Sequence, residues 1–234
     1  MKAFVTGGTG FIGRALIRQL IARGYRVHAL ARSQDGAAAL QALGATVVPG
    51  DVTDRESMRA GMRGSDVVFH LAAIYDYAPE AKAQCEPINV EGTRVVLELA
   101  HELRVPRIVY TSSLAVFGDT HGELPDETYR ADGPFLTEYD RTKWQAHYEV
   151  AMPLIEAGAP IIIVMPGAVY GPGDTSWLAE AMRLFHRGLM PLVPGPESVV
   201  TYAYVDDVAE GHILAAEKGR VGESYILAGP AVPL

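Results

Sequence analysis

Val5-Thr6-Gly7-Gly8-Thr9-Gly10-Phe11-Ile12-Gly13 carries four glycines in nine residues near the start of the chain. A short apolar run, Ala3 to Val5, precedes it and reads as a buried first strand. Arg14 to Arg23 follows with helical spacing, so that Ile12, Leu16, Ile17, Leu20 and Ile21 fall on one face. A glycine-rich turn between strand and helix lets the backbone approach a pyrophosphate. It also presents free N–H groups at the positive end of the helix dipole. The spacing fits Gly8-x-Gly10-x-x-Gly13 and Gly7-x-x-Gly10-x-x-Gly13 equally well. An ordinary tight turn under a close-packed helix would also use glycines, but the strand before and the helix after favour a dinucleotide-phosphate site.

Outward from this turn, strands and helices alternate. Arg26–Ala31, Ala45–Val48, Asp66–Leu71, Arg107–Ser112 and Ile161–Met165 read as strands, several of them continuously apolar as buried parallel strands are. Helices are predicted over 37–43, from the capping-box spacing Thr53-Asp54-Arg55-Glu56, over 89–104 and over 139–156, the last bent or split by Pro153. The pattern predicts an α/β fold with a parallel sheet covered by helices on both faces. After Pro166 the rhythm changes, and the remaining strands and helices read as a smaller lobe threaded onto the sheet. The expected division is residues 1–166 for the dinucleotide domain and 167–234 for the interleaved lobe.

Composition narrows the class. The chain of 234 residues is 49% hydrophobic and 21% charged, as a globular protein with a real core requires. A net charge of −8 without a basic run disfavours nucleic acid as a partner. The longest apolar run, Ala159 to Tyr170, is broken by Pro160, Pro166 and Gly167, so no membrane association is expected. A lone cysteine, Cys85, and no evident signal peptide fit a reducing, cytoplasmic setting. No metal site is expected.

Two places carry candidate chemistry. Tyr139 and Lys143 stand at i and i+4 and share a helical face. A nearby ammonium favours tyrosinate, so the Tyr139 pKa is expected to fall, leaving the phenol able to exchange a proton with a substrate oxygen. A surface Tyr/Lys pair is the alternative. Thr111-Ser112-Ser113 ends a predicted strand, where hydroxyls face the crevice in which ligands bind. Strand-end hydrogen bonding explains most serines in such places.

Together these residues resemble an extended short-chain dehydrogenase/reductase of the epimerase/dehydratase superfamily, nearest to the dihydroflavonol-reductase-like proteins. The resemblance runs through Thr6–Gly13, Asp51-Val52-Thr53-Asp54, His70-Leu71-Ala72-Ala73 and Asn89-Val90-Glu91-Gly92-Thr93. It continues through Thr111–Gly118, Tyr139-x-x-x-Lys143, Pro166–Pro172 and Val205-Asp206-Asp207-Val208. It implies a Rossmann-type doubly wound sheet with Tyr139 as general acid/base, Lys143 lowering its pKa and holding the nicotinamide ribose, and Ser113 as the catalytic serine. The cofactor residues it implies are Thr6, Gly7, Gly10, Phe11, Ile12, Gly13, Asp51, Val52, Leu71, Ala72, Ala73, Asn89, Thr111, Ser112, Pro166, Gly167, Ala168 and Val169, with Tyr139 and Lys143. It implies a homodimer as well. Members of the family usually continue further, so the substrate lobe reads as truncated.

The second strand ends Leu30-Ala31-Arg32-Ser33, without the acidic residue that would accept the ribose hydroxyls of NAD. Arg32 can pair with a 2′-phosphate, which favours NADP(H), with NAD(H) the alternative. Three functions are open. One is an NAD(P)-dependent oxidoreductase acting on a carbonyl or alcohol. Another is a nucleotide-sugar epimerase or dehydratase that retains NAD, for which Arg183 and Arg187 could clamp a diphosphate. The third is a non-catalytic dinucleotide sensor or scaffold. The small-molecule substrate is undetermined, although Tyr75, Tyr77, Trp177, Phe185 and Tyr202 could line an aromatic pocket.

Overall fold

The structure, a computed structural model, describes residues 1–75, 83–131, 133–189 and 199–233. In chain order its strands are β1 (Lys2–Thr6), β2 (Arg26–Ala31), β3 (Thr46–Pro49), β4 (Val67–His70), β5 (Ile108–Thr111), β6 (Ile161–Pro166), β7 (Ala168–Tyr170), β8 (Val199–Tyr204), β9 (Ser224–Leu227) and β10 (Ala231–Pro233). Seven form a parallel sheet in the order β3-β2-β1-β4-β5-β6-β9. The order reverses between β1 and β4, which makes the sheet doubly wound and opens a crevice at its carboxyl edge. A second sheet, β10-β8-β7, pairs β7 with β8 in parallel and β8 with β10 antiparallel.

Side-chain alternation along the strands splits the core into two layers. Phe4, Val68, Ile108, Tyr110, Ile161, Ile163 and Met165 face one layer. Ala3, Val5, Val67, Phe69, Val109, Ile162 and Val164 face the other. Both layers are apolar because helices cover both faces. On the first side lie α3 (Arg55–Met62), a wide turn of π-helix over Glu86–Gly92, α4 (Thr93–Glu102) that continues from it, and α5 (Glu138–Gln145). On the second lie α1 (Phe11–Ala22) and α2 (Gln34–Ala42).

Local chemistry sets where the helices start. α3 is capped by Asp54, whose Oδ1 accepts from Glu56 N and Ser57 N. Thr53, expected to be the cap, gives its N–H and its hydroxyl to Asp51 instead. The capping box lies at α5: Thr137 accepts from Asp140 N, and the Asp140 carboxylate accepts from Thr137 N, each at 3.1 Å. The helix that was expected to run to residue 156 widens into a π-helical turn at Ala146–Ala151 before α6 (Met152–Glu156). Pro153 has no N–H for the Glu149 carbonyl, and the wider turn before it absorbs that mismatch.

After Pro166 the chain serves both sheets. β7 leads to α7 (Trp177–His186), while α8 (Val205–Lys218) packs against α1 and β9 extends the large sheet beside β6. Residues 205–227 therefore finish the dinucleotide-type layer, and the small sheet stands apart from it. On the open edge of β9, Ile226 N donates to the Glu127 carboxylate at 2.9 Å. Among the described residues no helix is long and apolar enough to cross a membrane.

Candidate active site

The glycine turn shows why glycine is required. Gly7 has φ +72°, and a Cβ there would lie 2.6 Å from the Leu71–Ala72 peptide. A Cβ at Gly13 would sit 2.2 Å from the Gly7 carbonyl oxygen. Gly8 faces Ile17 and Leu40 in the core, so Gly7-x-x-Gly10-x-x-Gly13 is the spacing that borders the cleft. Gly10 is the N-cap of α1 and offers no side-chain acceptor, and the first turn of the helix carries no acidic residue. Free N–H groups, a helix dipole and a surface without Cβ atoms make a cradle that fits a pyrophosphate.

A cleft of about 880 Å³ opens from this turn. It brings together Gly7, Gly10, Phe11, Ile12, Gly13, Leu71, Ala73, Thr111, Ser112, Ser113, Tyr139, Lys143, Pro166, Gly167, Ala168 and Val169, all expected at the site. Six other expected cofactor residues do not line it. Thr6 is fully buried, its hydroxyl bonded to His70 Nδ1 at 2.7 Å and accepting from Ala72 N. Ala72 thus contributes its backbone to the wall behind the turn. Asn89 accepts from Ile74 N at 2.7 Å and donates to Ile74 O and Thr142, so it ties the segment after β4 to α5. Arg32, Asp51 and Val52 stand further along the carboxyl edge, after β2 and β3. Arg32 is 63% exposed at its side chain, with Nε 3.7 Å from the Asp51 carboxylate. Asp51 also accepts from Thr53, while Val52 is buried.

The neighbouring serines divide by position. Ser112 is buried and its hydroxyl shares a 2.8 Å hydrogen bond with His147 Nδ1. Ser113 stands close enough to Tyr139 for its hydroxyl to act on the phenol, and it caps the short 3₁₀ turn Leu114–Phe117 through Ala115 N. Tyr75 packs edge-on against Tyr139 with ring centroids 4.9 Å apart.

The expected fall in the Tyr139 pKa is not what the structure gives. Burial pushes the phenol up to about 12, against a smaller lowering by the Ser113 hydrogen bond. Lys143 is the group brought into the neutral range. It is 3% exposed, and burial lowers its pKa to about 7. Its ammonium donates to Thr111 O at 2.7 Å and to the Tyr110 hydroxyl at 3.4 Å. Two of the ammonium's three donors go to the floor of β5, and desolvation dominates the tyrosine.

Several lining residues were not singled out from sequence: Leu114, Ala115, Asp174, Thr175, Ser176, Leu178, Val199, Val200 and Thr201. Asp174 is 6% exposed; Oδ1 accepts from Ser176 N, and Oδ2 has no hydrogen-bond partner among the described residues. Its signal was the turn-forming Gly171-Pro172-Gly173-Asp174 before a serine-capped helix. Among the expected aromatics, Tyr202 packs edge-on against Tyr170, and Phe185 is 65% exposed. Tyr77 and the side chain of Trp177 lie outside the described residues. Arg183, a possible diphosphate clamp, donates to Glu180 and to the Asp174 carbonyl.

Comparison with known proteins gives a consistent picture. The profile of the NAD dependent epimerase/dehydratase family matches residues 3–228. A 4-hydroxy-2-methyl-3-oxo-4-farnesyl-3,4-dihydroquinoline-1-oxide ketoreductase of Stigmatella aurantiaca is 36% identical over 97% of this chain and 68% of its own length. A putative dihydroflavonol 4-reductase of Synechocystis sp. is 35% identical over 96% of this chain and 66% of its own length. Among solved structures, gox2253 superposes with a TM-score of 0.90 at 35% identity, covering 99% of this chain and 71% of that one. UDP-glucose 4-epimerase of Thermus thermophilus, a complex with NAD, superposes at 0.80 with 26% identity, covering 100% of this chain and 79% of the other.

Proposed function

The chain belongs to the NAD dependent epimerase/dehydratase family, and from that premise we propose that it is an NADPH-dependent reductase of a small carbonyl substrate. One observation carries this reading: the phosphate cradle and the Ser113–Tyr139–Lys143 group border one cleft. A dinucleotide bound there supplies the hydride for the carbonyl carbon. Gly7, Gly10 and Gly13 would hold its phosphates, with Phe11 and Ile12 beside them. Ser113 orients the carbonyl oxygen, and Tyr139 gives that oxygen its proton. A phenol with its pKa raised to about 12 is fully protonated at neutral pH, as a general acid must be before it acts. Lys143 supplies positive charge near the phenolate left behind.

Arg32 supports the phosphate-bearing cofactor, since its guanidinium is exposed beside the carboxyl ends of β2 and β3. Arg32→Ala should weaken NADPH binding about tenfold or more while changing NADH binding little; equal losses for both would overturn the preference. Fluorescence titration with each cofactor makes the measurement.

The second reading, an epimerase that retains NAD, has support from the solved epimerase fold. The first gains from the ketoreductase and dihydroflavonol-reductase relatives. Arg183 donates to Glu180 and to the Asp174 carbonyl, so it would have to leave these partners to join Arg187 on a diphosphate, which weakens the clamp as support for the second reading. The nucleotide released from purified protein separates them. Tightly held NAD favours the epimerase, whereas an empty site that takes up NADPH and consumes it with a ketone panel favours the reductase. The names of the relatives give the non-catalytic alternative no support. A homodimer through helices α4 and α5 and a reducing, cytoplasmic setting belong to the same reading; light scattering that shows only monomer would remove the dimer.

A further inference from the structure

Behind the cleft lies a buried polar cluster that no step of the proposed reaction uses. Its centre is Tyr110 on β5, 1% exposed, stacked on His70 with ring centroids 5.7 Å apart. Its hydroxyl accepts from Lys143 Nζ at 3.4 Å, in the neighbourhood of the Thr93 and Ser112 hydroxyls. Thr93 donates its one hydroxyl proton to Asn89 O at 2.6 Å, so its oxygen accepts from His70 Nε2 at 2.9 Å. The Lys143 ammonium can only donate, so the phenol oxygen is the acceptor in their contact. The Tyr110 ring centroid lies 5.0 Å from the same ammonium.

We propose that Tyr110 is a positioning residue that fixes the Lys143 ammonium at the floor of the cleft, and only its kinetic consequence rests on the reductase reading above. The hydroxyl and the ring act together with Thr111 O to hold a cation that has almost no water. Without the hydroxyl the ammonium keeps one polar partner from β5 instead of two. The charged form then becomes harder to sustain, and the lysine is freer to leave its place under the nicotinamide end of the cleft.

The titratable groups around Lys143 do not blur this effect. His70 on β4 and His147 in the π-helical turn feel its charge, and burial holds them at about 3 and about 4. His212 on α8, bonded to Thr111, is held at about 4, and Tyr139 on α5 is raised to about 12. Lys143 alone of this set changes charge between these limits.

The test is Tyr110→Phe, which keeps the ring and its stacking and removes one oxygen. The chain has four lysines, so a nitrogen-15 lysine NMR titration of cofactor-free protein resolves Lys143, assigned by Lys143→Arg. Tyr110→Phe should shift the ratio of charged to neutral Lys143 about tenfold toward neutral at fixed pH. It should also lower kcat for NADPH-linked reduction near neutral pH, with the KM for the ketone little changed, and a higher proton concentration should restore part of the loss. Tyr110→Leu is the second variant: it removes the ring together with the hydroxyl and should give a larger shift of the same sign. A Lys143 titration unchanged in both folded variants overturns the proposal. If the wild-type protein reduces no carbonyl, the reductase reading fails while the titration still decides the role of Tyr110.

Discussion

The phosphate turn and the loop that carries Asp174 border the same cleft and are built on opposite terms. In the turn, backbone meets backbone so closely that a single Cβ at Gly13 would fall 2.2 Å from an oxygen, and the strand beneath it is buried. Around Asp174 the described residues leave one carboxylate oxygen without a partner, and the neighbouring helix α7 exposes Met182 and Phe185. One side is fixed by sterics before anything binds. The other has polar capacity unspent. A fold of this family can keep its cofactor site constant while the second side changes with the substrate.

Experiments on both sides can break or sharpen this contrast. The largest effect is expected at the chemistry between them. Tyr139→Phe should lower kcat about 10²- to 10⁴-fold with dinucleotide affinity retained, and a variant with full activity would remove Tyr139 from the reaction. On the rigid side, Gly13→Ala should reduce dinucleotide affinity about 100-fold, because the turn must shift by about an ångström to accept the methyl group. Isothermal titration would reveal a tolerant turn if affinity stayed within a few-fold.

Lys143 links the two sides through pH. Unfolded, its ammonium titrates at its ordinary value of 10.5; folded, at about 7. Between these limits the unfolded chain holds a proton that the folded chain has released, so the burial penalty grows as pH falls from 10.5 to 7: above 10.5 both states are neutral and there is no penalty, and below 7 both are charged and the penalty is complete. Lys143→Met should therefore stabilise cofactor-free protein by roughly a few kcal/mol at pH 6 and by much less at pH 9.5, while abolishing activity. Urea unfolding at the two pH values gives the comparison, and a pH-independent difference would contradict it. The smallest effect is on the open side. Asp174→Asn should raise stability by about 1 kcal/mol, since an unpaired buried carboxylate is replaced by a neutral amide that keeps the Ser176 contact. A thermal melt that drops instead would show a partner for Oδ2 in solution.

The same contrast explains what could be read from the amino acids alone. Gly7, Gly10 and Gly13 were legible because only glycine satisfies that geometry, and their strand and helix are adjacent in sequence. Tyr139 and Lys143 were legible through helical spacing, although their protonation was not, because burial from β5 outweighs the charge of a neighbour four residues away. Tyr110 and Thr201 gave no signal, and Asp174 gave only that of a turn, since residues far apart in the chain bring all three to the site. Asn89 and Thr6 carried the family pattern, yet they work behind the cleft by holding the segment after β4. The Thr137–Asp140 capping box was not singled out, because Asp140 stands where the usual pattern has Glu or Gln, yet it starts the helix bearing Tyr139.

The contact between Glu127 and Ile226 N has a consequence for assembly. Among the described residues β9 is the last strand on its side, and its outward N–H is an invitation to any extended segment, including that of another copy. By filling that donor with a carboxylate, Glu127 places a negative charge on this edge. A second strand that tried to add there would have to displace an acid and meet it as a neighbour, so the large sheet is discouraged from growing between molecules.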